Sequence, residues 1–425
     1  MLVNADLHIH SKYSMGSSKE MNLANISRES KKKGIQLLGT GDCLHPKWMA
    51  EIKAIQVSDG LFEREGIHYI LSTEVEDNRR IHHLLFFPDV AKVAEFREHV
   101  KPNSSGIDRD GRAKLRLSGW EIAEAAKDAG ALIGPCHAFT PWTGIYGVFD
   151  SIADCYKDLT PYIKYLELGL SAESAYADRI EELLPLTFLT NSDAHSPYPL
   201  KIAREFNRID LSTLDFAGLK RAFEKTNEKR FKLNVGMPPE EGKYNETACI
   251  CCFTHYSLKQ AVANKFKCTK CKKRIKKGVK DRVNELAKWD TPHTPAHRPP
   301  YLKIVPLAEI IAKALGLEST NSKKVAQIWE ALIAEFGSEV DILVDRDLKD
   351  MSAAPEPVLE AIRAFRENKV RLIPGGGGQY GKIELPNAPE TTGTQRKDEE
   401  EDPGPESEAE APIKKKGAQS SLFDF

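Results

Sequence analysis

The stretch Asp6-Leu7-His8-Ile9-His10 holds two histidines two residues apart, a spacing that puts both imidazoles on one face of a strand. Further donors follow the same habit, each at or just past a short apolar run. They are Asp42 and His45 in GTGDCLHP, Glu74 in LSTEVE, His83 in IHHLLFF, His137 in IGPCHAF, Glu167 in YLELG, and Asp193 with His195 in TNSDAHS. Imidazoles mixed with carboxylates suit Zn²⁺, Mn²⁺ or Fe, and a shared carboxylate suits a multinuclear site. Such ions activate a bound water as a nucleophile, so no Ser or Cys nucleophile is required. Asp193, Glu167 and Asp42 are the carboxylates expected to take part in catalysis, Glu167 or Asp42 by orienting the water. Glu76 shares the face of Glu74 and competes with it. His68, His82, His99, His293 and His297 read as ordinary core or surface residues.

A second set is Cys249, Cys252, Cys268 and Cys271, spaced C-x2-C-x15-C-x2-C. Two tight turns aiming two thiolates each complete a tetrahedral, structural zinc site. Cys251 is a rival in register and His255 a remote alternative, whereas Cys43, Cys136 and Cys155 read as core residues or supports of the ligands. Ten of the eighteen residues 265–282 are Lys or Arg and only Asp281 is acidic, which is a footprint for phosphate backbones rather than a mixed solvated face. Lys267, Lys270, Lys272, Lys273, Arg274, Lys276 and Lys277 are the residues expected to meet them. Gly375, Gly376, Gly377 and Gly378 form a loop whose amides either approach a phosphate or make a flexible turn. Trp142 and Tyr146, in the loop after His137, either pack within that loop or stack on a base.

These residues need a scaffold. Apolar runs at 34–40, 68–75, 82–88, 130–136, 162–170 and 186–192 read as buried strands, separated by segments with helical spacing such as SGWEIAEAAKDAG and SAYADRIEELL. Strand–helix repetition implies an α/β fold with a largely parallel sheet or barrel, whose active residues gather at strand carboxyl ends. Residues 1–235 form this unit, 236–280 a linker and the four-cysteine module, and 281–388 a mainly helical nucleic-acid-binding unit. Residues 389–425 are expected to be disordered, because eight of the thirteen residues 398–410 are acidic and bury nothing. The net charge of −1 hides this asymmetry between basic ribbon and acidic tail. No run of apolar residues is long enough to span a membrane, and the first residues lack a signal-peptide pattern, so a cytoplasmic setting with reduced cysteines is expected.

DLHIHSKYS, Glu74, HHLL, GPCH and SDAH occur in the order of the motifs of the PHP (polymerase and histidinol phosphatase) superfamily, which residues 1–235 resemble. The resemblance implies a distorted (βα)7 barrel with two or three divalent metals (Zn, Mg or Mn). Its ligands would be His8, His10, Glu74, His83, His137, Asp193 and His195. Two positions depart from the pattern: Ser17 stands where an acid or His is usual, and Gly41-Asp42-Cys43 replaces Thr-Asp-His. A third metal is then missing or held differently by Asp42, His45 and His195. The closing QSSLFDF resembles a sliding-clamp (PCNA) interacting peptide through Gln419, Leu422, Phe423 and Phe425.

Barrel, zinc ribbon, PGGGGQYG segment and clamp-like tail together resemble the archaeal endonuclease Q family. That resemblance implies DNA cleavage 5′ of deaminated bases (uracil, hypoxanthine, xanthine) and abasic sites, with DNA and the clamp as partners. Two other classes fit part of the sequence. A small-molecule phosphomonoesterase explains the donors but not the basic ribbon. A catalytically decayed, clamp-recruited DNA-binding module would account for Ser17.

Overall fold

The computed structural model describes residues 1–317 and 319–386. All six apolar runs become strands. Leu2–Asp6 lies parallel to Leu37–Gly39, which lies parallel to Ile67–Ile70. After a bend at Leu71 the chain continues as Ser72–Glu76, pairs with His82–Phe86, and that strand pairs with Leu132–Pro135. Tyr165–Glu167 and Thr187–Leu189 form a further parallel pair. The ring closes where the chain beyond each end strand meets: Asp193 N–H donates to His8 O (3.0 Å) and His10 N–H to Ala194 O (2.9 Å). The result is an irregular barrel with helices outside it.

The sheet is mixed rather than largely parallel. His82–Phe86 runs antiparallel to both of its neighbours. The reason is local: a tight turn connects it to Ser72–Glu76, too short for a crossover helix. Asp77 Oδ1 fixes that turn by accepting from the backbone N–H of Arg79 and Ile81, both at 2.8 Å. Phe206–Asp210 and Phe231–Gly236 add antiparallel to Leu2–Asp6, and Tyr301–Lys303 extends the same sheet, so residues 281–388 contribute a strand to it.

The strongest helix signal holds: Gly119–Asp128 starts from a capping box of Ser118 and Glu121 and buries Ile122, Ala123, Ala125 and Ala126. SAYADRIEELL gives only the short turns Ser174–Ala177 and Glu181–Leu183. Beyond the barrel, Leu307–Ala314, Lys323–Phe336 and Glu356–Arg366 pack on one another through Ile310, Ile311, Trp329, Leu332, Ile362 and Phe365. No helix among the described residues is long and apolar enough to cross a membrane.

Candidate metal centre and nucleic-acid surface

The donors converge at one end of the barrel in two sets. His8, His10 and Asp193 make one, and Glu74, His82 and His137 the other. Glu74 lies between them. Its Oε1 is 2.7 Å from His82 Nδ1 and 3.1 Å from His137 Nε2, and its Oε2 is 3.4 Å from His10 Nε2. Asp193 Oδ1 stands 3.1 Å from His10 Nε2 and 3.6 Å from His8 Nε2. Three residues around the centre, Asp42, His137 and Asp193, hold positive φ values of 48°, 24° and 47°. Such conformations are strained for residues with a Cβ and persist where the surroundings force them.

These atoms fit divalent metals. His8 Nε2, His10 Nε2 and Asp193 Oδ1 are buried and make no hydrogen bond, which is costly for polar atoms unless a cation takes them. The imidazoles are turned into place from behind. Glu167 accepts from His8 Nδ1 at 3.0 Å, Asp42 from His10 Nδ1 at 3.0 Å, and Glu76 Oε2 lies 3.3 Å from His82 Nε2. Such carboxylates fix the tautomer and leave the other ring nitrogen for a metal.

Electrostatics follow from the crowding. Burial opposes charge on His8, but Glu167, Asp193 and Glu74 outweigh it and lift the imidazole to about 9. Burial likewise opposes Glu74 and Asp193, yet the surrounding imidazoles hold both carboxylates well below the usual range. His195 goes the other way, to about 4, through burial and the neighbouring His10 charge.

Four expectations need correction. His83 is not in the centre; His82 is. Adjacent residues on a strand face opposite ways, and His82, opposite Glu76, shares the face of Glu74, whereas His83 is opposite Val75. Glu167 and Asp42 cannot orient a water, because their oxygens are taken. Glu167 also accepts from His137 N and Asn191 Nδ2, and Asp42 from Ser11 N and Oγ. Asp42 also stands outside both donor sets. His45 stands apart, capping the helix Pro46–Lys53 and stacking on Tyr13 at 4.4 Å between ring centroids. Arg112, which no motif signals, reaches the centre with Nη1 3.5 Å from Glu74 Oε2.

The four cysteines also converge, with Cys249 Sγ 3.3 Å from Cys271 Sγ and Cys252 Sγ 3.5 Å from Cys268 Sγ. Cys251 is exposed and outside the group. His255 instead bonds Glu246 Oε2 at 3.1 Å.

A crystal structure of the lesion-specific endonuclease PfuEndoQ from Pyrococcus furiosus is 47% identical, with a TM-score of 0.87, covering 91% of this chain and 96% of that one. An endonuclease Q complex, holding a 27-mer duplex with an abasic lesion at its active site, is 46% identical with a TM-score of 0.85, covering 91% and 97%. The chain belongs to the endonuclease Q family. It is therefore a hydrolase. The Bacillus subtilis protein YqxK is 31% identical over 406 residues, 90% of this chain and 99% of that protein. Protein MJ0043 of Methanocaldococcus jannaschii is 43% identical over 251 residues, which are 58% of this chain and 31% of that protein, so the match spans about a third of that relative. The family described as MJ0043 C-terminal domain matches residues 306–369.

In this endonuclease Q chain the basic ribbon is on the surface. Lys267, Lys270, Lys272, Lys273 and Arg274 are exposed, and none pairs with a carboxylate among the described residues. Lys277 is bound to Glu285 at 2.7 Å, and the Lys276 ammonium sits 3.1 Å over the Trp142 ring, tying ribbon to barrel.

The glycines and Tyr146 differ from expectation. Gly375, Gly376 and Gly377 are buried, and added Cβ atoms would meet Gly242 O, Glu246 O and Cys249 O at 2.6, 2.6 and 2.3 Å. The amides of Gly375, Gly376 and Gly378 bond Glu240, Gln379 and Lys243 carbonyls. These glycines thus let the strand pair Arg371–Ile373 and Lys382–Glu384 approach the ribbon, and three of their four amides are already bonded to the protein's own carbonyls. Tyr146 is 1% exposed, donates to Glu182 at 2.8 Å and stacks on Phe139, so it is not free to stack on a base. Gln419, Leu422, Phe423 and Phe425 lie outside the described residues.

Proposed function

We propose that this chain cuts DNA at the phosphodiester 5′ of deaminated bases (uracil, hypoxanthine, xanthine) and abasic sites. The observation that carries the reading is the buried pair of donor sets joined by Glu74. It stands in a chain 46% identical to an endonuclease Q that holds an abasic duplex. The exposed cations of residues 267–274, without a carboxylate partner among the described residues, supply a sequence-independent hold on the DNA backbone. The helical unit beyond the ribbon is the second DNA-binding element, and a sliding clamp is the partner for the segment around Gln419 and Leu422.

Two or three divalent metals (Zn, Mg or Mn), held by His8, His10, Glu74, His82, His137 and Asp193, would supply Lewis acidity toward the phosphodiester. The protein's own part is orientation and charge. Glu167 and Asp42 keep His8 and His10 turned inward. Arg112 places a guanidinium beside Glu74, from where it would offset charge on a bound phosphate. Asp193 and His195, 33% and 29% exposed, form the open side toward an incoming strand. Cys249, Cys252, Cys268 and Cys271 would hold a structural zinc that fixes the basic ribbon.

The test is nicking of labelled duplexes holding one uracil, hypoxanthine or abasic site, beside an undamaged control, with each metal in turn and with an Asp193→Ala variant. Metal-dependent cutting 5′ of the lesion, lost in the variant, is expected. Equal cutting of all duplexes would remove lesion recognition, and no cutting under any metal would remove the reading.

A further inference from the structure

His83, displaced from the barrel centre, lies in a cluster of its own. Its Nε2 is 3.4 Å from Asp77 Oδ2, and Cys155 Sγ completes a group whose donor atoms all lie within 4.8 Å of one another. All three side chains are buried, at 0%, 4% and 3% exposure for His83, Asp77 and Cys155. His83 Nε2 makes no hydrogen bond. Its Nδ1 is held by the Tyr156 hydroxyl at 2.7 Å, which fixes the ring and turns Nε2 toward Asp77 and Cys155. Asp77 uses Oδ1 on its own turn, leaving Oδ2 for the cluster.

We propose that Asp77, His83 and Cys155 form a separate metal site outside the barrel, taking zinc or a similar thiophilic divalent cation. A tetrahedral zinc with bonds of about 2.1 Å sets its ligand atoms about 3.4 Å apart, which is the observed Asp77–His83 separation. One carboxylate, one thiolate and a neutral imidazole balance a doubly charged ion, and a single enclosed water would complete the fourth tetrahedral position. The backbone closes over the site: a Cβ on Gly119 would lie 2.4 Å from Cys155 Sγ and 3.0 Å from His83 Cε1. The site joins the turn at Asp77, the strand His82–Phe86 and the short helix Ile152–Tyr156, under the start of the helix Gly119–Asp128. It would staple from outside the strand whose inner face presents His82. The inference stands independently of the proposed lesion specificity.

Zinc-edge anomalous diffraction from crystals of the zinc-loaded wild-type chain tests it. A peak within bonding distance of Asp77 Oδ2, His83 Nε2 and Cys155 Sγ is expected. Elemental analysis of Cys155→Ala should then show one zinc fewer per chain, with the four-cysteine zinc retained. No peak at this position, with His83 simply hydrogen-bonded to Asp77, overturns the proposal. The wild-type map decides even if the variant does not fold.

Discussion

Glu167 grips His8 from behind, with its two carboxylate oxygens 3.1 and 3.0 Å from Nδ1. The same side chain accepts from the His137 backbone N–H, so it sets one residue in each of the two donor sets. Glu167→Gln puts an N–H₂ where an acceptor is needed. Metal affinity is expected to fall about 10–100-fold, with nicking recovering at high metal concentration. Calorimetric metal titration measures it, and unchanged affinity would show that Glu167 does not position His8.

His82→Ala removes the imidazole 2.7 Å from the Glu74 carboxylate that joins the two sets. Bound metal should drop and kcat for nicking should fall by roughly two orders of magnitude or more, by analogy with loss of one charge-stabilising group. Full activity and metal content in this variant would return His82 to the role of an ordinary core residue.

Lys33 and Glu339 form an ion pair at 2.6 Å with side chains 2% and 4% exposed, and Glu339 also accepts from Trp329 Nε1. The pair links the helix Leu23–Lys33 of the barrel to the C-terminal helices. Lys33→Met leaves a buried carboxylate without its cation, for an expected loss of about 3–5 kcal/mol in urea unfolding. A change under about 1 kcal/mol would mean that water already reaches the pair.

Lys273 and Arg274 are exposed cations without a carboxylate partner among the described residues. Changing both to Ala should weaken binding to damaged and undamaged duplexes alike. The slope of log K against log salt should become shallower by about 1 for each phosphate that the protein no longer neutralises. An unchanged slope would place the DNA elsewhere.

Glu205 is buried, accepts from Met237 N at 2.7 Å and leaves Oε2 without a partner. Burial lifts its carboxyl to about 8. Between about pH 4.5 and 8 the unfolded chain has lost this proton and the native chain keeps it, so stability falls as pH rises, by at most about 1.4 kcal/mol per unit. Glu205→Gln should therefore gain on the wild type steadily from about pH 5 to about pH 8 in urea midpoints. A constant difference across that range would show that Glu205 is ionised in the native state.

The sequence by itself determined which residue types meet. The His8-x-His10 spacing, the donors at strand ends and the cysteine spacing all rest on local periodicity, which survives into any fold that keeps the elements. Tertiary pairing decided which of two neighbours faces inward. His82 rather than His83 enters the centre because the hairpin sets His82 opposite Glu76, and alternation then sends His83 to the outer layer. Packing decided what Glu167, Asp42, Tyr146 and the glycines 375–377 do. A carboxylate is a ligand or a support according to which donors surround it, and a glycine amide is free or used according to what lies against it. For Glu167 those partners stand 30 and 159 positions away in the chain, a distance over which local pattern carries no information.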